Sequence, residues 1–322
     1  MKAVPLSNPP NPWASTDVEY LEEEPPPEVR LEVYEDHTRQ ILANNDSPDV
    51  GFRWSVNPYR GCFHACAYCY ARPSHEYLSF GAGTDFDRKI VVKPHAPELL
   101  REAFSKRSWK GELVVFSGVT DCYQPLEASY RLTRRCLEVC ALFGNPVGII
   151  TKAPLIERDA DLLAAMRGAG LHVTISIPFW DPEKARAIEP YVATPHRRLR
   201  IIETLSARGI AVSVNVAPII PGLNDQDIPR ILTAARDAGA QGAGCVLLRL
   251  PGSVKEVFEQ RLRASLPLQA DRVLHRIRET RGGKLYDPRF GVRGRGEGVI
   301  SDSIQTLFRA TAQRLGLSVS DR

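Results

Sequence analysis

No stretch of this 322-residue chain approaches the ~20 apolar residues that a membrane span needs. The longest apolar runs, such as 146–150 and 246–248, fall far short. The opening Met1-Lys2-Ala3-Val4-Pro5 leads into polar, Pro-rich sequence with no apolar core of a signal peptide, so a cytoplasmic protein is expected. No internal repeat of fixed period is present, which excludes a solenoid or propeller. Seven cysteines, an odd number without a secretory signal, argue against a disulfide framework. Composition shows no bias toward disorder, with 43% hydrophobic and 25% charged residues.

The length suits two domains or one large α/β barrel. The net charge of +4 is uneven. Residues 1–50 hold 3 basic and 11 acidic residues, and the other 272 carry +12. Beyond residue 254 there are 14 basic and 8 acidic residues. A basic body permits an anionic substrate such as nucleic acid without requiring one.

Residues 1–50, with Pro9, Pro10, Pro12 and Pro25-Pro26-Pro27, read as an extended acidic arm with room for a short helix over 36–44. From 51 onward, strand patterns at 53–57, 113–117, 147–151, 172–177, 211–217 and 245–250 alternate with helical patterns at 96–106, 128–143, 159–168, 195–208 and 227–238. Gly144, Gly170, Gly209 and Gly239 stop helices before strands. Repeated βα units with short connections predict a parallel sheet, here an α/β partial (β/α)6 TIM-like barrel over 51–252. Its active site belongs at the C-terminal ends of the strands. Residues 253–322 read as a C-terminal helical extension. Within it, the Gly-rich loop around Arg293 is a candidate phosphate contact or lid.

Three of the seven cysteines, Cys62, Cys66 and Cys69, sit within eight residues, directly after the first predicted barrel strand. Three thiolates on one loop can hold three irons of a [4Fe–4S] cube and leave the fourth open to a non-protein ligand. Zinc is the alternative, with His64 or His75 as fourth ligand. Cys136 and Cys140 lie on the apolar stripe of a predicted helix, and Cys245 opens the sixth predicted strand; all three are expected in the core. Arg249 lies in an apolar run, where a charge needs a partner.

The C-x₃-C-x₂-C spacing with Tyr68 before the third cysteine resembles the signature of radical S-adenosylmethionine (SAM) enzymes. Within that superfamily the chain is similar to the spore photoproduct lyase-like group, also labelled DNA repair photolyase-like, and to a bacterial branch of it. The resemblance rests on Asn57-Pro58-Tyr59-Arg60-Gly61-Cys62, Ala71-Arg72-Pro73-Ser74-His75, Thr120-Asp121-Cys122-Tyr123-Gln124-Pro125, Ile150-Thr151-Lys152, Ala217-Pro218-Ile219-Ile220-Pro221 and Arg281-Gly282-Gly283-Lys284, and covers roughly 40–316.

The resemblance implies a [4Fe–4S] cluster on Cys62, Cys66 and Cys69, and SAM on its open iron. It implies an electron donor such as flavodoxin or ferredoxin, and hydrogen abstraction through a 5′-deoxyadenosyl radical. Ser117, Thr120 and Asp121 stand where superfamily members approach the SAM amino group, while Lys152 and Ser176 match SAM contacts. Tyr68 and Tyr70 match tyrosines linked to hydrogen transfer, with packing against cluster or adenine the other role for Tyr68. Where the group has a hydrogen-donating cysteine, this chain has Gly118, which puts Cys122 forward as a candidate donor thiol at the barrel mouth, with a buried or structural loop thiol as its other role. The substrate stays open among a nucleic-acid base, a peptide and a small metabolite. An iron-sulfur or zinc nucleic-acid-binding module without radical chemistry is the rival class.

Overall fold

The computed structural model describes residues 4–6 and 31–319; the remainder of the expected acidic arm lies outside the described residues. Twelve strands follow one another: β1 Val4–Leu6, β2 Glu32–Glu35, β3 Leu42–Asn44, β4 Trp54–Val56, β5 Tyr59–Arg60, β6 Lys89–Val92, β7 Val114–Phe116, β8 Val147–Thr151, β9 Leu171–Ser176, β10 Val212–Ile219, β11 Gly242–Leu247 and β12 Ser318–Val319. They form a four-stranded sheet, β1-β2-β6-β5, and an eight-stranded sheet, β12-β11-β10-β9-β8-β7-β4-β3.

In the larger sheet the strands from β4 to β12 run parallel, and β3 is antiparallel to β4. The two edges do not pair, so the sheet is a partial barrel. Six of its strands, β4 and β7 to β11, are the βα series expected from sequence. The helix considered over 36–44 is absent, because Leu42–Asn44 instead pairs with Trp54–Val56. The sixth barrel strand runs over 242–247 rather than 245–250, which places Cys245 inside it and Arg249 beyond its end.

Side-chain alternation sets the layers. In β9, Val173 and Ile175 are fully buried in the main apolar cluster, while Thr174 points the other way. Cys136 and Cys140 are in the same cluster, as expected from their helical spacing, on the helix Leu132–Leu142. A second apolar cluster joins Tyr68 of the cysteine loop to Leu248, Leu250, Phe258 and Ile277. Among the described residues no helix is long and apolar enough to cross a membrane.

Candidate active site

The cysteine loop leaves β5 through Gly61, whose φ is 77°. A Cβ there would lie 2.8 Å from His75 Cε1, so only glycine fits. The loop backbone is then gripped from several distant elements. The fully buried Arg72 donates from Nη2 and Nε to the Cys66 carbonyl (2.8 and 3.1 Å), from Nη1 to the Ala82 and Gly83 carbonyls, and from Nη2 to Asp87. Arg261 donates to the Ala65 carbonyl at 2.6 Å and pairs with the other oxygen of Asp87. Gln124 donates to the Gly61 carbonyl and accepts from the Phe63 N–H, both at 3.2 Å. Buried charges joined in this way hold a geometry, since each guanidinium is satisfied only in one arrangement.

All three loop cysteines carry free thiols, and each lies within electrostatic reach of another. Burial pushes all three thiols up, Cys66 to about 12. Thiolates here therefore need positive charge of the kind bound iron supplies. Among the described residues no three His, Cys, Asp or Glu side chains converge on one metal ion. Three thiolates on one loop suit a cube, where each caps a different iron. The two histidines weighed for zinc are engaged elsewhere: His75 Nε2 is 2.8 Å from the Lys89 carbonyl, and His64 Nδ1 is 3.6 Å from Asp121.

Beside the loop, two capped helices deliver a buried ion pair. Asp181 caps Pro182–Ile188 and Thr194 caps Pro195–Ser206, each with proline in the first turn. Glu189 ends the first helix and Arg198 lies on the second; both are buried and they pair directly. The Tyr68 hydroxyl donates to Glu189. Arg198 also donates to the carbonyls of Ser176 (3.0 Å) and Ala193 (2.7 Å). Lys152, just past β8, brings Nζ to 3.9 Å from Glu189 and 5.6 Å from the Tyr68 ring centroid. Burial alone would lower the Lys152 pKa, but negative charge on Cys66 as a thiolate and on the Glu189 carboxylate holds it above its usual value. Glu189 and Arg198 were not singled out from sequence.

The residues after β7 divide. Asp121 accepts from Thr151 Oγ1 (2.6 Å), the Tyr123 N–H (3.0 Å) and the Lys152 N–H (2.8 Å), tying this loop to the end of β8. Ser117, with φ of 78°, accepts from the Cys122 N–H through Oγ. Thr120 is different: its hydroxyl is buried with no hydrogen-bond partner among the described residues. Ser176 is buried at the end of β9.

Tyr70 is half-exposed and donates to the Gly118 carbonyl at 2.6 Å. A Cβ at Gly118 would sit 3.1 Å from Ser55, so the backbone there is closely walled. Of the two readings of Cys122, a donor thiol open at the barrel mouth and a buried or structural loop thiol, the structure matches the second. It is 1% exposed and lies in the main apolar cluster, with its carbonyl accepting from Thr133 Oγ1 at 2.6 Å. Burial pushes its thiol well above the ordinary value. Alkylation of Cys122 in the folded protein is therefore expected to be as slow as that of Cys136 and Cys140. Peptide mapping after timed iodoacetamide treatment checks this, and fast labelling of Cys122 alone would show an open loop.

Arg249 lies past the end of β11. Its Nε is buried without a hydrogen-bond partner, and no carboxylate is within ion-pair distance among the described residues. Its guanidinium is 5.7 Å from the Tyr70 ring centroid. The Arg293 loop, considered for phosphate contact, is tied down instead. Arg293 pairs with Asp49 and Ser47, and the Gly291 N–H donates to Asp49 at 2.7 Å. The Leu247 N–H donates to the Gly294 carbonyl at 2.7 Å, so this loop links the last long barrel strand to the segment that precedes β4.

The profile described as Radical SAM superfamily matches residues 56–235. An uncharacterized protein of Mycobacterium tuberculosis strain H37Rv is 40% identical over 210 residues, 64% of this chain and 62% of that relative. The match thus spans less than two thirds of that relative's length. A protein of Methanocaldococcus jannaschii is 31% identical over 181 residues, 56% of this chain and 66% of the relative. A protein of Pseudomonas phage M6 named radical SAM Nalpha-GlyT isomerase is 24% identical over 195 residues, 60% of this chain and 39% of the relative. A spore photoproduct lyase variant with bound AdoMet and dinucleoside spore photoproduct superimposes with a TM-score of 0.65 at 15% identity, covering 89% of this chain and 81% of that one.

Proposed function

The chain belongs to the radical SAM superfamily, and on that premise we propose that it is an enzyme holding a [4Fe–4S] cluster on Cys62, Cys66 and Cys69 and acting on an anionic, base-bearing substrate of nucleic-acid type. When bound, the reduced cluster and SAM supply reductive carbon–sulfur cleavage and a 5′-deoxyadenosyl radical that removes a substrate hydrogen. The observation that carries the reading is the loop of three free thiols, gripped by Arg72, Arg261 and Gln124 and offering no fourth cysteine.

The chain's own residues bind and orient. Lys152 offers a cation to the SAM carboxylate, held in place by Glu189 and the Tyr68 ring. The unpartnered Thr120 hydroxyl and the buried Ser176 supply polar contacts at neighbouring strand ends. Ser117 and Asp121 shape the loop between them rather than reaching outward. Tyr70 and Arg249 present an exposed ring and a cation to the substrate, a pairing that suits a base and its phosphate. The name of the lyase complex with a dinucleoside lends support to a nucleoside-containing substrate. Cys122, buried as it is, takes a hydrogen-donor role only if its loop opens.

Anaerobic protein given dithionite and SAM is expected to release 5′-deoxyadenosine. Lys152→Ala is expected to weaken SAM binding roughly ten- to hundredfold, the loss of one charge-assisted contact of about 1.5–3 kcal/mol, with iron content unchanged. Absence of 5′-deoxyadenosine from the unmodified protein would overturn the radical chemistry. An unchanged SAM dissociation constant would leave Lys152 as a partner of Glu189 alone.

A further inference from the structure

A cavity of about 220 Å³ lies against the cysteine loop, and none of the strand-end residues assigned above to SAM or substrate lines it. Phe63 and Ala65, which lie between Cys62 and Cys66, form part of its wall. The rest comes from the helices Thr84–Arg88, Pro182–Ile188 and Val254–Ser265 and from the turn that carries Tyr191. It is smaller than the roughly 300–1,000 Å³ of a pocket for a drug-sized ligand. A single ring fits inside, and anything attached to that ring must lie at the rim.

Two chemistries meet in this lining. Three arginines, Arg88, Arg186 and Arg261, stand against one carboxylate, Asp87. Both oxygens of Asp87 are already taken, one by Arg72 and the other by Arg261, so its charge is matched and the lining is left positive. Arg88 and Arg186 are exposed, and Arg88 has no hydrogen-bond or ion-pair partner among the described residues. Beside them Phe63 packs on Tyr191, with ring centroids 5.1 Å apart and planes inclined by 33°. The wall is fixed before any ligand arrives, because Arg261 also grips the Ala65 carbonyl at 2.6 Å. A bare anion would leave the rings unused, and an apolar ligand would leave Arg88 facing nothing. A flat ring joined to a phosphate uses both.

We propose that this cavity is a second binding site, for a nucleoside phosphate, with the base against Phe63 and Tyr191 and the phosphate at the rim on Arg88 and Arg186. No bond forms or breaks there. The nucleotide has two sources of the same chemistry, a free mononucleotide or one unit of a single strand. As part of a strand it extends the substrate class proposed above and rests on that reading; as a free nucleotide it stands apart from it. In both cases the ligand touches Phe63, in the loop that bears the cysteines, from a side other than the barrel mouth. Stacking on the rings is tolerant of the base, while the arginines make binding weaken as salt rises.

The test uses the reconstituted holoprotein and three probes: inorganic phosphate, thymidine 5′-monophosphate and a fluorescein-labelled single-stranded oligothymidylate. Calorimetry follows the first two and fluorescence anisotropy the third, each at low and high salt. Inorganic phosphate is expected to bind about tenfold more weakly than the better nucleotide probe, because it cannot use the rings. Arg88→Ala is expected to weaken that probe about tenfold and, for the oligomer, to lower the salt slope by about one. Tyr191→Leu keeps apolar bulk beside Phe63 but removes a stacking face; it is expected to cost about tenfold with the salt slope unchanged. Iron content and melting temperature are expected to stay the same in both variants. Should Tyr191→Leu disturb the cysteine loop, its iron content shows it and Arg88→Ala decides alone. Binding of thymidine monophosphate with these losses supports a free nucleotide, and binding of the oligomer alone with these losses supports a strand. Binding of neither nucleotide probe, inorganic phosphate binding as tightly as both, or nucleotide binding untouched by Arg88→Ala overturns the proposal. Failure of the unmodified protein to cleave SAM with dithionite strikes the enzymatic reading instead, and leaves these binding measurements readable.

Discussion

Replacing Cys62, Cys66 and Cys69 together with alanine is expected to abolish iron binding, from about four irons per reconstituted chain to none, together with the brown absorbance and all SAM cleavage. Iron and acid-labile sulfide analysis of the anaerobic protein checks this directly. The rest of the fold is expected to survive, because the loop backbone is held by Arg72, Arg261 and Gln124 through carbonyl and N–H groups that the alanines keep. Near-native circular dichroism with no iron is thus the expected pair of results. Retention of the same iron and spectrum by the triple variant would place the cluster elsewhere. The remaining four cysteines offer poor sites for one: Cys122, Cys136 and Cys140 are buried in the main apolar cluster, and Cys245 hydrogen-bonds Gln305.

The second large effect belongs to Glu189. Glu189→Leu removes the carboxylate that faces Arg198, leaving a buried guanidinium with carbonyl partners only. Breaking a buried pair from one side costs about 3–5 kcal/mol, mostly as the penalty of the charge left behind. Urea unfolding of the apoprotein is the measurement. The double change Glu189→Leu with Arg198→Met is expected to recover much of that loss, since no buried charge then remains. The same single variant frees the Tyr68 hydroxyl and removes the carboxylate that pairs with the Lys152 ammonium, so its SAM affinity is expected to fall as well. A loss below about 1 kcal/mol would mean that the Ser176 and Ala193 carbonyls satisfy Arg198 unaided.

These two experiments separate what is local from what is assembled. The cysteine trio is legible in one dimension because its chemistry depends on eight consecutive residues and on the strand before them. Glu189 and Arg198 are nine residues apart on two helices, and in a linear reading each is an ordinary charged residue of an amphipathic helix. Nothing local says that both turn inward. Arg72 and Arg261 are harder still, since they meet only through Asp87. The one available signal was position: Arg72 and Gln124 fall within the stretches that carry the family resemblance.

The departures have similar causes. The sequence pattern favours a sixth barrel strand over 245–250, because Leu247-Leu248-Arg249-Leu250 is more strand-like than Gly242-Ala243-Gly244. In the fold Gly242 and Gly244 pair along Ser213 and Asn215, while Leu248 and Leu250 pack with Phe258 and Ile277 in the second cluster. A helix over 36–44 loses to pairing with β4, a partner ten residues away. For Cys122 the sequence leaves an open and a buried reading, and the bonds of its N–H to Ser117 Oγ and of its carbonyl to Thr133 Oγ1, which fold the loop inward, decide for the buried one.

By itself the sequence determined the βα rhythm, the parallel partial barrel and the loop that presents three thiols, because hydrophobic period, glycine stops and ligand spacing are properties of short segments. The tertiary structure alone decided which charges are buried, which hydroxyl is left without a partner and which arginines ring the outer face of the cysteine loop. Those outcomes depend on residues brought together from far apart in the chain. Burial then changes the meaning of a charge, from a solvated surface group to one that must find its partner in a single arrangement.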